Sequence, residues 1–314
     1  MRMIKVDLIP LMRCSKCRRP AILYQRYSGL HLCRNHFVAD FETKAKRAIR
    51  THRWLSSGDT IAVALSGGRS SGALLYFLRS LLSGRRDIRL LAVTVDEGIS
   101  SYRDPAEPRR IAGQLGVPHT SVPFRDEFGT TVDEIDLSRR NDPCSSCRVL
   151  RHCLLETTAR NLGATRLALG YNLDDEAGNL FIRAVRGDCA RLLPGSGTRE
   201  AEITRIKPFM HLPEREVALY SHLHLDSVAG QRCPHGNHAL RNDVRRWLNE
   251  YSWSHPAARY ALVNLGEEMI AFAGNGPDAD RAVCEWCGES CKGEFRTCRI
   301  LSEAGRGLCR KVVL

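Results

Sequence analysis

Thirteen cysteines are spread unevenly along the chain, and most fall in three tight groups whose spacing could hold metal. Cys14-x2-Cys17 and Cys33-x2-His36 place four soft or borderline ligands in two close pairs. Each pair can grip an ion from a turn, and the 15 residues between the pairs make a short hairpin. Such a Cys₃His set suits a closed, tetrahedral structural zinc. Near the other end, Cys284-x2-Cys287 with Cys291 and Cys298 offers a second, four-thiolate zinc site, and Cys309 is a spare candidate. The third group is Cys144-x2-Cys147 with the distant Cys233, which stands before Pro234. Two neighbouring thiolates and a third from afar can hold three irons of a four-iron cluster and leave the fourth open. The same thiols could form a redox pair or carry a persulfide, or be small buried cysteines.

Ser66-Gly67-Gly68-Arg69-Ser70-Ser71 sits where an apolar run turns into a helical pattern. Glycines let backbone approach a phosphate, and the free N–H groups and dipole of a helix N-terminus attract an anion. Ser70 and Ser71 add hydroxyl donors. The Gly-Lys-[Ser/Thr] ending of a Walker A loop is absent, and a tight turn capped by serine accounts for the same letters. Asp174-Asp175-Glu176 opens a helix. Its acids suit the positive end of the helix dipole, and they also suit a magnesium ion carried by a nucleotide.

These groups need a scaffold, and the pattern supplies one. Thr60–Leu65, Ile88–Val95, His119–Phe124 and Arg166–Gly170 read as strands. Between and after them, Ser71–Leu82, Pro105–Leu115, Arg148–Leu162 and Leu173–Arg186 read as helices. Strands alternating with helices of that length predict a parallel sheet covered on both faces, an α/β fold. A basic helix is expected from about Ala39 to Leu55, residues 240–272 read as helical throughout, and Gly274-Asn275-Gly276-Pro277 reads as a linker. The expected organisation is 1–55 for a zinc-binding module with its basic helix, 56–235 for the catalytic domain, 236–276 for a helical extension, and 277–314 for a second zinc-binding module.

The chain of 314 residues carries a formal net charge of +12, and residues 1–53 alone hold 13 Lys and Arg against 3 Asp and Glu. A block this basic favours a polyanion, most simply nucleic acid, although a solvated basic face would look the same. Apolar stretches such as Ile61–Leu65 and Leu90–Val93 are far too short to span a bilayer, so no membrane partner is expected. With no apolar run of signal-peptide type near Met1, a cytoplasmic location is expected, and thiols there serve metals or catalysis more often than disulfides.

Taken with their spacing, these motifs resemble the tRNA 2-thiolation enzymes of the TtcA/TtuA type, which are PP-loop ATP pyrophosphatases. The likeness runs from Cys14…His36 through the SGG loop, Val95-Asp96-Glu97-Gly98 and Cys144-x2-Cys147. It continues through Gly170-Tyr171-Asn172-Leu173-Asp174-Asp175-Glu176-Ala177, Arg205-Ile206-Lys207-Pro208 and Cys233-Pro234 to the terminal cysteines. Terminal metal sites at both ends place the resemblance in the TtuA-like, wobble-uridine-thiolating branch. It implies a five-stranded parallel sheet of the PP-loop type with small terminal zinc modules. It also implies an enzyme that adenylates the C2 oxygen of a tRNA uridine with ATP, then replaces that oxygen with sulfur delivered through a [4Fe-4S] cluster on Cys144, Cys147 and Cys233. The implied ATP contacts are Ala64, Leu65, Ser66, Gly68, Ser70 and Ser71, then Leu91 near the adenine, Gly170 and Asp175. Arg151, four residues after Cys147, would steady phosphates or charge developing on the base. ATP with Mg2+, the cluster and two Zn2+ ions are the implied cofactors. The implied partners are tRNA, a sulfur donor such as a ubiquitin-like carrier protein, and a second copy of the chain. The family loop reads Ser-Gly-Gly-Lys-Asp-Ser, so Arg69 and Ser70 are departures here, and Ser70 removes a carboxylate that helps place magnesium. That change leaves two other readings open: an RNA-binding protein with a degenerate PP-loop, or a PP-loop ATP pyrophosphatase with another substrate.

Overall fold

The computed structural model describes residues 12–100, 102, 104–135, 143–187, 203–226, 233–236, 240–273, 282–283, 290–291 and 296–303. Its centre is a parallel sheet of β3 (Thr60–Ala64), β4 (Arg89–Asp96), β5 (His119–Pro123), β6 (Arg166–Ala168) and β7 (Thr204–Ile206), in the order β5-β4-β3-β6-β7. The α/β expectation and the strand count hold. β7 has three residues, too few for periodicity to reveal, and only the family resemblance anticipated it.

Apolar residues alternate across the central strand. Ile61 and Val63 join one buried cluster and Ala62 the other. β3 therefore reads as a continuous apolar run, as a strand covered on both faces must. The first face is covered by α1 (Arg34–Thr51), α2 (Arg69–Leu81) and α3 (Ala106–Gln114). The second is covered by α4 (Phe124–Phe128) and α5 (Pro143–Asn161). From β3 the chain first moves outward through β4 and β5, then returns to the other side of β3 as β6. That reversal makes a switch point between neighbouring strands, where α/β sheets place ligands beyond the carboxyl ends.

α1 buries Phe37, Phe41, Ala45, Ala48 and Ile49 on one stripe, and Phe41 stacks on Tyr220 at 4.1 Å. Tyr220 lies on α7 (Glu214–His224). α1 begins directly after Cys33, five residues before the expected basic helix. β1 (Leu23–Gln25) and β2 (Leu30–Leu32) form the hairpin ahead of it. α6 (Leu173–Val185) packs against α8 (Leu240–Ser254) and α9 (Ala258–Ala273). The single helix expected over 240–272 is thus two, broken where Pro256 lacks an N–H and restricts His255. A short antiparallel pair, β8 (Ala282–Val283) and β9 (Ser290–Cys291), precedes α10 (Arg296–Glu303), which packs on α5. Among the described residues no helix is long and apolar enough to cross a membrane.

Candidate functional site

Two candidate centres emerge, one in the N-terminal hairpin and one beyond the carboxyl ends of the sheet. In the first, the ligand atoms of Cys14, Cys17, Cys33 and His36 all lie within 4.8 Å of one another. Cys17 Sγ is 3.6 Å from Cys33 Sγ, and His36 Nδ1 is 3.3 Å from Cys14 Sγ and 3.4 Å from Cys33 Sγ. A tetrahedral zinc with Zn–S of about 2.3 Å and Zn–N of about 2.0 Å sets such edges at roughly 3.5–3.8 Å, so the cage fits a metal of that size. Local folding explains the closeness: the Cys14–Cys17 turn closes by Cys17 N–H to Cys14 O, and Ser15 N–H donates to His31 O across the hairpin. Cys33 caps α1, which puts His36 on the first helical turn. Burial opposes ionisation of Cys14, but N–H donors of Cys33, Lys16 and Cys17 and the His36 ring outweigh it and hold the thiol at about 6. An Arg19 N–H favours the Cys17 thiolate, but burial and the two neighbouring thiols push it up.

At the sheet, β3 runs into Ser66-Gly67-Gly68 and α2. Gly67 has φ +74°, a left-handed turn where a Cβ would also stand 3.2 Å from Pro108. The turn is tied internally: Ser71 Oγ accepts from Ser66 N–H at 3.1 Å and donates to Gly68 O at 3.0 Å. Gly68 caps α2 with no side-chain bond to the first helical N–H groups, which leaves them available to an anion. Gly170 follows the neighbouring strand β6, and a Cβ there would meet Ser70 C and O at 3.0 Å and Ser71 N at 3.1 Å. Only a glycine lets the chain after β6 approach the first turn of α2 this closely. Leu65 is buried and Leu91 partly buried on the flanking β4, while Ala64 sits at the end of β3.

Each acid of the string has a partner, although Glu176 Oε1 is buried without one. Asp174 Oδ2 accepts from Glu214 N–H and Oδ1 lies 3.1 Å from Arg259 Nε. Asp175 closes a capping box with Asn172 and takes a bond from Arg241 Nη2 at 3.0 Å. Burial pushes its carboxyl above the usual range despite that arginine. Glu176 pairs with Lys207 at 2.7 Å. Of the two readings open at the sequence level, helix capping is thus realised, and each acid already has a cationic partner.

Beyond these strand ends α5 carries the remaining chemistry. It starts at Pro143, five residues earlier than expected, so Cys144 and Cys147 lie within its first turns and not before it. Cys147 is buried, Cys233 is half-buried, and α5 packs against the 3-10 turn Pro234–Gly236 that follows Cys233. The side chain of Cys144 lies outside the described residues. One helical turn on from Cys147, Arg151 donates to the buried Glu97 at 2.9 Å. Burial works against the guanidinium, but the charges of Glu97 and Cys147 hold it cationic. His152 Nε2 meets Tyr171 OH at 2.8 Å. Burial and the cations Arg205, Arg151, Arg148 and Lys207 lower the His152 pKa to about 3, so the ring stays neutral. This convergence of His152, Arg148, Arg205, Lys207 and Arg241 was not read from the sequence. It follows from strand order, because Glu97, Gly170-Tyr171 and Lys207 each lie within three residues of the end of a strand of the same parallel sheet.

At the far end, Cys284 and Cys287 lie outside the described residues, as does Cys309. Cys291 is described only as backbone in β9, while Cys298 is buried on α10.

Comparison with known proteins covers the segments that carry both centres. Residues 13–38 match the family described as 2-thiouridine synthetase TtuA, N-terminal LIM domain, and residues 38–250 match the PP-loop domain. The tRNA 2-thiolation protein NcsA of Haloferax volcanii is 33% identical, with 92% of this chain and 98% of that one covered. The cytoplasmic tRNA 2-thiolation protein 1 of Bos taurus is 32% identical over 97% of this chain and 91% of its own. Among solved structures, the U34-tRNA thiolase NcsA from Methanococcus maripaludis with its [4Fe-4S] cluster superposes with a TM-score of 0.83. It is 26% identical, with 97% of this chain and 99% of that chain covered.

Proposed function

Since the chain belongs to the family of PP-loop tRNA 2-thiolation proteins, we propose that it is an ATP-dependent tRNA 2-thiouridine synthase working at the sheet's carboxyl ends. ATP lies along Ala64, Leu65, Ser66, Gly68, Ser70 and Ser71, with its phosphates on the open N–H groups of α2. Leu91 lines the adenine side, and Gly170 and Asp175 close the opposite wall. Adenylation of the uridine C2 oxygen releases pyrophosphate and turns a poor leaving group into AMP, which a sulfur nucleophile then displaces. Arg151, kept cationic beside Glu97, is placed to balance the negative charge of phosphates or of the activated base. Ser70 presents a hydroxyl where the family loop carries an acid. Because the acidic string is committed to Arg259, Arg241 and Lys207, Mg2+ arrives with the nucleotide, held by its phosphates.

The residues present also fit an iron–sulfur cluster. In support, α5, which carries Cys147, packs against the turn that follows Cys233, and Arg151 stands one helical turn on from Cys147 with the two charges attracting. Cys144, Cys147 and Cys233 would hold the [4Fe-4S] cluster, whose open iron supplies the sulfur-binding position. The observation that carries the proposal is the open N-terminus of α2 beside Gly170, on the sheet against which α5 packs, with α5 also packed on the turn after Cys233. Zn2+ in the Cys14, Cys17, Cys33, His36 cage shapes the basic hairpin that grips tRNA, and the C-terminal cysteines hold a second Zn2+. The division at residues 55, 235 and 276, a cytoplasmic location, a sulfur carrier protein as donor, and pairing of two copies complete the reading.

The test is anaerobic reconstitution of wild type and Cys233→Ala. Wild type should bind about four irons per chain and form AMP only when tRNA is present. Cys233→Ala should lose the iron, keep its circular-dichroism spectrum and make no thiolated nucleoside. Iron binding that survives Cys233→Ala, or AMP formation indifferent to tRNA, would overturn it.

A further inference from the structure

His52, His211 and Glu267 come together from three parts of the chain. His52 caps α1, His211 lies in the turn after β7, and Glu267 lies on α9. We propose that these three side chains form a further metal site, taking a divalent first-row ion such as Zn2+ with water in the remaining position.

Geometry carries the proposal. The three ligand atoms lie within 4.8 Å of one another. His52 Nε2 and His211 Nε2 both face the same oxygen, Glu267 Oε1, at 3.3 and 3.5 Å. A charge-assisted N–H···O bond closes to about 2.7–2.9 Å. Other ion pairs of this molecule reach that range, with Arg151–Glu97 at 2.9 Å and Lys207–Glu176 at 2.7 Å. The two imidazoles stand farther off, and Glu267 Oε1 is buried with no well-aligned hydrogen-bond partner. An ion with bonds of about 2.0–2.1 Å to nitrogen and 2.0–2.2 Å to oxygen sets the N···O edge of a tetrahedron near 3.4 Å. Both observed edges fall within 0.1 Å of that value.

The approach of the ligands is built into the backbone. Arg53 takes φ +51°, a left-handed conformation that a non-glycine residue adopts at a cost. It closes the end of α1 through Arg53 N–H to Arg50 O and Trp54 N–H to Ile49 O. That turn stacks Trp54 on the His52 ring at 4.5 Å and 15°, which fixes the plane of the imidazole. Met210 N–H to Lys207 O and Leu212 N–H to Phe209 O fold the turn that presents His211. The three side chains keep 28–34% of their surface exposed, enough for an ion to enter and for water to complete the shell. The donor set is nitrogen and oxygen, so it differs chemically from the thiolate sites and from the sulfur chemistry at the sheet. Bound there, the ion would join α1, the β7 turn and α9, and so tie the C-terminal helical pair to the N-terminal helix.

The test titrates Zn2+ and, separately, Co2+ into the full chain already carrying its thiol-bound metals. Wild type should take up one further equivalent of each per chain. The added Co2+ should show visible d–d bands without a thiolate charge-transfer band, and Tm should rise. Glu267→Gln and His211→Ala, folded by circular dichroism, should each lose that equivalent and the rise in Tm, and His52→Asn gives an independent third variant. Equal uptake by wild type and folded variants, no further uptake by wild type, or a thiolate charge-transfer band on the added Co2+ would each overturn the proposal.

Discussion

Substituting Gly170 probes the junction between the phosphate loop and the neighbouring strand. In Gly170→Ala the new methyl stands 3.0 Å from Ser70 C and O and 3.1 Å from Ser71 N, all backbone atoms. Ordinary non-bonded contacts lie at about 3.5–4.0 Å, so the loop must retreat by roughly half an ångström. Overpacking of this kind costs about 1–3 kcal/mol. In a domain of this size each kcal/mol lowers Tm by roughly 2–4 °C. Displacing bound phosphates relative to their partner by part of an ångström should cost about 10- to 100-fold in turnover. The assays are thermal melting, ATP titration and tRNA-dependent AMP release. Gly113→Ala on α3, where a Cβ meets nothing within 4 Å, serves as the control and should melt no lower than wild type. If Gly170→Ala melted lower yet kept wild-type ATP affinity and turnover, the contact would be packing alone and the placement of ATP on this loop would be refuted.

Other perturbations separate the remaining roles. Glu97→Gln leaves Arg151 with a neutral partner at a buried site, which should cost about 1–3 kcal/mol in a denaturant titration and slow AMP formation. His152 has a folded pKa depressed to about 3 against an unfolded value near 6.5, so its contribution to stability is full above pH 6.5 and is lost as pH falls toward 3. At pH 5 its imidazole 15N shifts should still be those of the neutral ring, and a protonated ring there would contradict the cationic surroundings assigned to it. Cys17→Ala should release the N-terminal metal, weaken tRNA binding and flatten the slope of log K against log salt, as fewer phosphates are neutralised, while iron binding persists.

How much of this was legible beforehand depends on the range of the interaction. Strands β3 and β4 announce themselves because burial on both faces leaves an unbroken apolar run. The Cys14…His36 cage announces itself because its ligands sit in two short spacings. β7 does not, since three residues carry no period, and its place beside β6 is set by the sheet. The break at Pro256 was legible from proline's missing N–H, but the apolar pattern on either side masked it. The acidic string could not be resolved locally, because the partners that decide its role, Arg259, Arg241 and Lys207, lie at least 31 residues away. The same holds for the Glu97–Arg151 pair, which is 54 residues apart and made by the crossover of α5. His52, His211 and Glu267 have no spacing to read at all. For the expected C-terminal site, Cys284 and Cys287 lie outside the described residues, so its joining of Cys284, Cys287, Cys291 and Cys298 rests on spacing.

The central claim is that one switch point activates a tRNA uridine with ATP and delivers sulfur to it. The most direct measurement is mass spectrometry of nucleosides from unmodified tRNA incubated anaerobically with the reconstituted protein, ATP and sulfide. The expected result is 2-thiouridine in an amount matched by AMP, a fall of about 10- to 100-fold in the rate of both in Gly170→Ala, and loss of the thionucleoside in Cys233→Ala. Tight, salt-sensitive tRNA binding with neither AMP nor a thiolated nucleoside would contradict it and make Arg69-Ser70 the mark of a loop that binds without turning over.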